Sequence, residues 1–186
     1  MTLARVTALC RLSAVIGGIV LRLLMLMTCF SIFGRFLNTM GHALSFAGFL
    51  QFFGPVPGDF ELVEAGIAFC VFAFLPLCQL RMGHATVELF TDRFSPAVNR
   101  ALIALWDVLF AAVMVMITWR LAVGMLGKYD NGEITLLLQF PVWWSYATAL
   151  IPAILAAGVA IWIAVQRILH LFGKASDMPT HAGSQH

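Results

Sequence analysis

The sequence predicts an all-α membrane protein of four transmembrane helices, with both termini cytoplasmic and short amphipathic helices at the interfaces. Three observations carry this reading. Of 186 residues, 61% are hydrophobic and only 11% are charged, against about 45–50% and about 25% in an ordinary soluble domain. The apolar residues fall into four runs, each long enough for a hydrocarbon core about 30 Å thick, which takes about 20 helical residues to cross. Turn-forming residues punctuate the gaps between the runs. A soluble chain of this length leaves roughly a third of its surface in water and could not hide so much apolar side chain. The composition thus excludes a soluble enzyme, a disordered chain and a nucleic-acid-binding domain. The formal net charge of +2, from eleven basic and nine acidic residues, includes no basic patch dense enough to track phosphates.

The first span is expected over residues 12–36, the second over 60–80, the third over 97–125 and the fourth over 142–169. Helices are required because lipid cannot hydrogen-bond exposed backbone, and the runs are too long and continuous for barrel strands. Arg5 and Arg11 precede the first run as they would in a secretory signal, but its length and Arg22 mark an uncleaved anchor. Gly54-Pro55-Val56-Pro57-Gly58-Asp59 breaks the chain before the second span. Ser95-Pro96 supplies a cap and a first-turn proline for the third. Asp130-Asn131-Gly132 reads as a turn, and Pro141 opens the fourth. Pro76 and Pro152 lie inside spans and predict kinks, which membrane helices tolerate.

Two segments outside the spans are candidates for interfacial helices. Residues 43–53 carry Phe46, Phe49, Phe52 and Phe53 and either lie in the outer interface or extend a tilted first helix. Residues 84–94 place Val87, Phe90 and Phe94 at helical spacing, with Glu88, Asp92 and Arg93 off that stripe, as in an amphipathic surface helix. Residues 171–186 form a polar tail expected to be disordered, following one transmembrane domain over residues 1–170.

Orientation follows from the basic residues of short loops. Arg5, Arg11, Arg81, Arg93, Arg100, Arg167 and Lys174 fall on one side and Lys128 alone on the other, which puts both termini in the cytoplasm. Trp143, Trp144 and Tyr146 then form an outer aromatic belt.

Charges within the spans are the informative residues, because each is costly and usually partnered. Arg22 and Asp107 lie at similar depths from the cytoplasmic ends of their runs and are expected to pair across the bundle. Otherwise Arg22 would snorkel alone and Asp107 would meet water or another subunit. A second cluster is expected on the outer side from Arg35, Glu61, Glu64 and Arg120. The two glutamates are three residues apart and share a helix face. Two arginines against two glutamates favour a static salt-bridge knot over a proton or cation site. Cys10, Cys29, Cys70 and Cys78 make no CxxC pair and read as small apolar residues. No phosphate-binding loop, no nucleophilic triad and no facing histidines for haem occur, so no catalytic residue, cofactor or metal is expected. No repeat relates the two halves, and so few central polar groups make a poor transport pathway for one chain. An accessory subunit in the bilayer is the natural inference.

Several segments resemble one family in order and spacing. Gly34-Arg35-Phe36 ends the first span, and Glu61-Leu62-x-Glu64 opens the second. Leu80-Arg81-Met82-Gly83-His84-Ala85-Thr86-Val87-Glu88 closes it, with Arg81, Gly83, His84, Val87 and Glu88 as the most specific stretch. Gly132-Glu133-Ile134-Thr135 leads to Pro141-x-Trp143-Trp144-x-Tyr146 and Ile151-Pro152. Over residues 12–170 the chain is similar to the DctQ-like small membrane subunit of tripartite ATP-independent periplasmic (TRAP) transporters. Ala85 and Glu88 stand where that family often has isoleucine and aspartate. The resemblance implies a bacterial inner-membrane protein without catalytic residues. It implies two partners, a large elevator-type membrane subunit holding the substrate and sodium sites, and a periplasmic binding protein that delivers an organic acid anion. The small subunit would enlarge the fixed scaffold and help dock the binding protein. From the residues alone, the other reading is a membrane anchor of a redox or quinone-linked complex.

Overall fold

The computed structural model describes residues 3–43, 56–81 and 96–171. Its elements are α1 (Leu3–Ala43), α2 (Asp59–Leu80), α3 (Pro96–Asp130) and α4 (Trp143–Leu171). All four are long and apolar enough to cross a membrane, so the expected all-α, four-span architecture is present. The tail and the segment 84–94 lie outside the described residues, as does most of 43–53, although α1 itself runs on to Ala43.

Local chemistry sets the helix ends. Gly58 adopts a left-handed conformation, with φ of 76°, and its carbonyl accepts the N–H groups of Glu61 (3.1 Å) and Leu62 (3.2 Å). Asp59 and Glu61 then occupy the first turn of α2, where the helix dipole favours negative charge. Pro96 opens α3 at the position where a missing N–H costs nothing. Gly132, with φ of 61°, closes α3 as a left-handed residue just beyond its end. Both α2 and α4 continue through their internal prolines, Pro76 and Pro152, which are buried.

The helices pack as a row rather than a closed bundle. α1 packs on α2, α2 on α4, and α4 on α3. α4 is the most enclosed helix and α1 the least. Alanines make the inner contacts: Ala156, Ala157, Ala160 and Ala164 of α4 meet Ala111 and Met114 of α3, with Phe72 and Leu75 of α2 alongside. Lipid tails are as apolar as leucine, so helices in a bilayer join through close approach and a few hydrogen bonds. The α1–α2 contact shows both. Gly17 lies directly against Ala73. The Ser13 hydroxyl donates to the Ala73 carbonyl (3.0 Å), and the Cys70 thiol donates to the Gly17 carbonyl (3.4 Å). On α3, the Thr118 hydroxyl donates to its own helix at Met114 (2.8 Å) and across to the Ala153 carbonyl of α4 (3.3 Å). All four cysteines are free thiols.

Successive helices run antiparallel, so the ends of α1 and α4 nearest the termini fall together. There Val6 and Cys10 pack with Leu80, Val159 and Ile163. The opposite end carries Asp59 and the 131–142 connection. Among the described residues, the row leaves one whole side of α1 and of α3 uncovered, with Phe30, Trp106 and Trp119 each about two-thirds exposed.

Candidate subunit interface

At the end opposite the termini, Asp59 gathers the polar contacts. It is buried at the start of α2. Its Oδ2 accepts from the Ser31 hydroxyl (2.6 Å) and from Arg35 Nη2 (2.8 Å), and its Oδ1 accepts the N–H of Phe60 (2.9 Å). The Arg35 guanidinium also lies over the Phe60 ring, 5.7 Å from its centre. The expected knot of Arg35, Glu61, Glu64 and Arg120 does not form. Arg35 goes to Asp59. Glu61 grips the 131–142 connection, accepting the N–H groups of Leu137 (2.8 Å) and Leu138 (2.9 Å). Glu64 and Arg120 are exposed, without a hydrogen bond or ion pair among the described residues. The reason is the order of the row: α3 packs on α4, at the far side from α1, so arginines of α1 and α3 cannot meet the same two glutamates. The spacing of Ser31 and Arg35, four residues apart on one face, was the signal for Asp59.

The 131–142 connection is a small structured loop. Lys128 Nζ donates to Glu133 Oε2 (2.6 Å), and Asn131 Nδ2 donates to Glu133 Oε1 (3.2 Å). The N–H of Val142 reaches the Glu133 carbonyl (2.9 Å), and that of Thr135 reaches Phe140 (3.0 Å). Leu138 packs on Gly58, filling the space a side chain there would need. The tip is apolar and projecting, with Leu136 92% exposed and Leu137 63% exposed. At its base, Trp143 meets Tyr129 edge-on (5.6 Å) and Trp144 edge-on (6.1 Å), and Phe140 stacks on Trp144 (6.5 Å). Tyr146 lies against Gly124.

The Lys128 ammonium, and then the Asn131 amide, hold the Glu133 carboxyl below the usual glutamate range. A group lowered by folding stabilises fully above its unfolded pKa, and that contribution is lost as pH falls through the folded value. A spin label on Leu137→Cys, with the native cysteines replaced, should therefore become mobile as pH falls from about 6 to about 3, across the glutamate range. Lys128→Met should give the mobile spectrum already at neutral pH. An immobile label in both cases would show that this pair does not hold the loop.

At the end carrying the termini, Asp107 Oδ2 accepts from Arg167 Nε at 2.7 Å, with side chains only 19% and 16% exposed. This corrects the expected Arg22–Asp107 pair. Asp107 is level with Arg167, one turn beyond the Ile163 that packs with Cys10. Arg22 lies twelve residues further along α1 than Cys10, and Arg167 a turn beyond that level on the other side, so the two groups differ in level by roughly 24 Å at about 1.5 Å per residue. Equal distance from the start of an apolar run did not mean equal depth, because α1 begins at Leu3, nine residues before its run at 12, whereas α3 begins at Pro96, one residue before its run at 97. Arg22 itself is exposed and has no hydrogen bond or ion pair among the described residues. An arginine at the centre of a membrane helix costs roughly 2.5–3.5 kcal/mol on insertion scales.

Arg81 is exposed at the end of α2, its N–H bonded to the Leu77 carbonyl (3.1 Å). Gly83, His84, Val87 and Glu88 lie outside the described residues. Among the described residues no three His, Cys, Asp or Glu side chains converge.

The family model for the DctQ component of tripartite ATP-independent periplasmic transporters matches residues 24–173. The chain belongs to the DctQ family. It is therefore a component of a transporter of the bacterial inner membrane and not an enzyme. The redox-anchor reading falls with that membership. No curated protein and no solved structure matches the chain. For a DctQ-family chain, a row of helices with two apolar sides uncovered among the described residues is an arrangement suited to further protein, and the ion pairs among those residues lie toward the helix ends and at the loop.

Proposed function

We propose that this DctQ-family chain is the fixed scaffold of a sodium-coupled, binding-protein-dependent importer of organic acid anions. It holds a larger elevator-type subunit against the bilayer and helps dock the periplasmic binding protein. The observation that carries this reading is the open row of helices, whose outer sides on α1 and α3 expose large apolar residues along their length. A moving subunit needs a partner that resists tilting. Interfacial aromatics such as Trp143 and Trp144, together with a helix as long as α1, supply that resistance. With both termini cytoplasmic, the orientation that the basic residues favour, the apolar tip at Leu136 and Leu137 faces the periplasm, where a binding protein would dock.

Reconstitution tests the proposal. Vesicles holding this chain, its large subunit and the binding protein should take up a radiolabelled dicarboxylate or related acid under an inward sodium gradient. Omitting this chain should abolish uptake, and the chain alone should carry no flux. Sodium-dependent uptake that persists without this chain would overturn the scaffold role. So would flux through the chain alone.

A further inference from the structure

We infer that Arg22 forms an ion pair inside the bilayer with a carboxylate on a membrane helix of the large subunit, so that the side of α1 facing away from α2 is the subunit interface. The inference rests on the scaffold reading and names the contact through which it works.

α2 serves as a ruler for depth. Its 22 residues span about 33 Å at about 1.5 Å per residue, close to one hydrocarbon thickness of about 30 Å. Four contacts set the register of α1 along it. Cys10 packs with Leu80, Gly17 meets Ala73, Leu24 meets Gly66, and Ser31 bonds Asp59. Arg22 is thereby level with Ala68, near the middle of α2. The nearer end of α2 is about 14 Å away at about 1.5 Å per residue. An arginine stem falls short of a headgroup at that depth.

The same contacts set the direction in which Arg22 points. Cys10, Ser13, Gly17, Leu24 and Ser31 mark the α2 side of α1. Arg22 is two residues from Leu24 and five from Gly17, which turns it to the opposite side at 3.6 residues per turn. Val15, Ile19, Leu26 and Phe33 share that side, and each is more than half exposed. One turn before Arg22, a side chain added at Gly18 would meet nothing. That notch lets a neighbouring helix approach closely enough for a charged hydrogen bond.

Other occupants fit less well. A two-fold dimer through this side of α1 would set Arg22 against its own copy. A phospholipid phosphate sits too far from the level of Ala68. Arg120, on the outward side of α3, is flanked by Met116 and Trp119, which are 61% and 69% exposed. Those bulky side chains suit lipid and hold a helix at a distance.

The test uses the complex as it assembles in membranes. A benzophenone amino acid at Ile19 or Leu26 should cross-link to the large subunit, and one at Met116 or Val123 should not. Arg22→Met should lower the large subunit recovered with the tagged chain by about tenfold or more, about what 1.4 kcal/mol represents, and Arg22→Lys by less. The chain's own level in the membrane should hold or rise in Arg22→Met, because the substitution removes an intramembrane charge. Recovery of Arg22→Met complexes at the wild-type level would overturn the inference while leaving the scaffold role standing. Cross-links from α3 alone would do the same. Failure of the wild-type chain to recover any large subunit would overturn the scaffold role itself, and this inference with it.

Discussion

Asp107→Ala should lower the thermal midpoint of the detergent-solubilised chain by several degrees, and Asp107→Ala with Arg167→Met should recover more than half of that loss. The carboxylate and guanidinium are both less than one-fifth exposed, at 2.7 Å. Removing one partner of such a pair leaves the other charge uncompensated, which costs about 3–5 kcal/mol in buried settings. Arg167 makes a further contact beyond Asp107, and the pair lies near the end of the row, so about 2–3 kcal/mol is the expected loss, below the fully buried case. For a chain of this size that corresponds to roughly 5–10 °C. Removing both charges takes away the uncompensated group as well as the bond, hence the recovery. Fluorescence-detected gel filtration after heating measures this directly. Equal midpoints for Asp107→Ala and the native chain would show that the pair holds nothing together. A double variant no better than the single one would put the loss down to packing.

The second large effect concerns the closest approach of two helices. Any Cβ at Gly17 would stand 2.9 Å from the Cβ of Ala73. That atom cannot rotate away, so α1 and α2 must move apart. Separation stretches the Ser13 bond to the Ala73 carbonyl and the Cys70 bond to the Gly17 carbonyl together. Gly17→Ala should cost about 1–3 kcal/mol, as overpacking does, and Gly17→Ile should prevent accumulation of the folded chain. Gly18→Ala is the internal control in the isolated chain. Its added methyl meets nothing, and alanine is favoured over glycine in a helix interior by about 1 kcal/mol, so its midpoint should hold or rise. Combining Gly17→Ala with Ala73→Gly restores the room and should return most of the lost stability. If Gly17→Ala and Gly18→Ala behave alike, the close approach is not what joins these helices.

Both predictions concern contacts that the sequence alone pointed to only in part. The four spans were legible because hydropathy and helix length are properties of single segments. The turn residues Gly58, Pro96 and Gly132 marked element ends for the same reason, since their backbone preferences act locally. The pairing of charges was not legible. Asp107 was expected to meet Arg22, and Arg35 to meet glutamates. The structure gives Asp107 to Arg167, Arg35 to Asp59, and Glu61 to the backbone of Leu137 and Leu138. Asp59 stands in a turn-rich stretch, where an acid reads as loop polarity. Arg167 stands near the end of the fourth run, where a basic residue reads as an orientation signal.

Composition and the spacing of apolar runs thus determined by themselves that this chain lives in lipid as four helices, and its motifs pointed to the DctQ family. Only the tertiary structure decided which helices touch, in the order α1, α2, α4, α3, and so which charges are satisfied within the chain and which face outward. The physical reason is that lipid supplies no hydrophobic contrast to sort one apolar helix face from another. The contacts are chosen instead by small residues such as Gly17 and Ala73 and by the depth at which each polar group comes to lie. Depth and neighbour are relations between helices, and the apolar run that makes each helix carries little record of them.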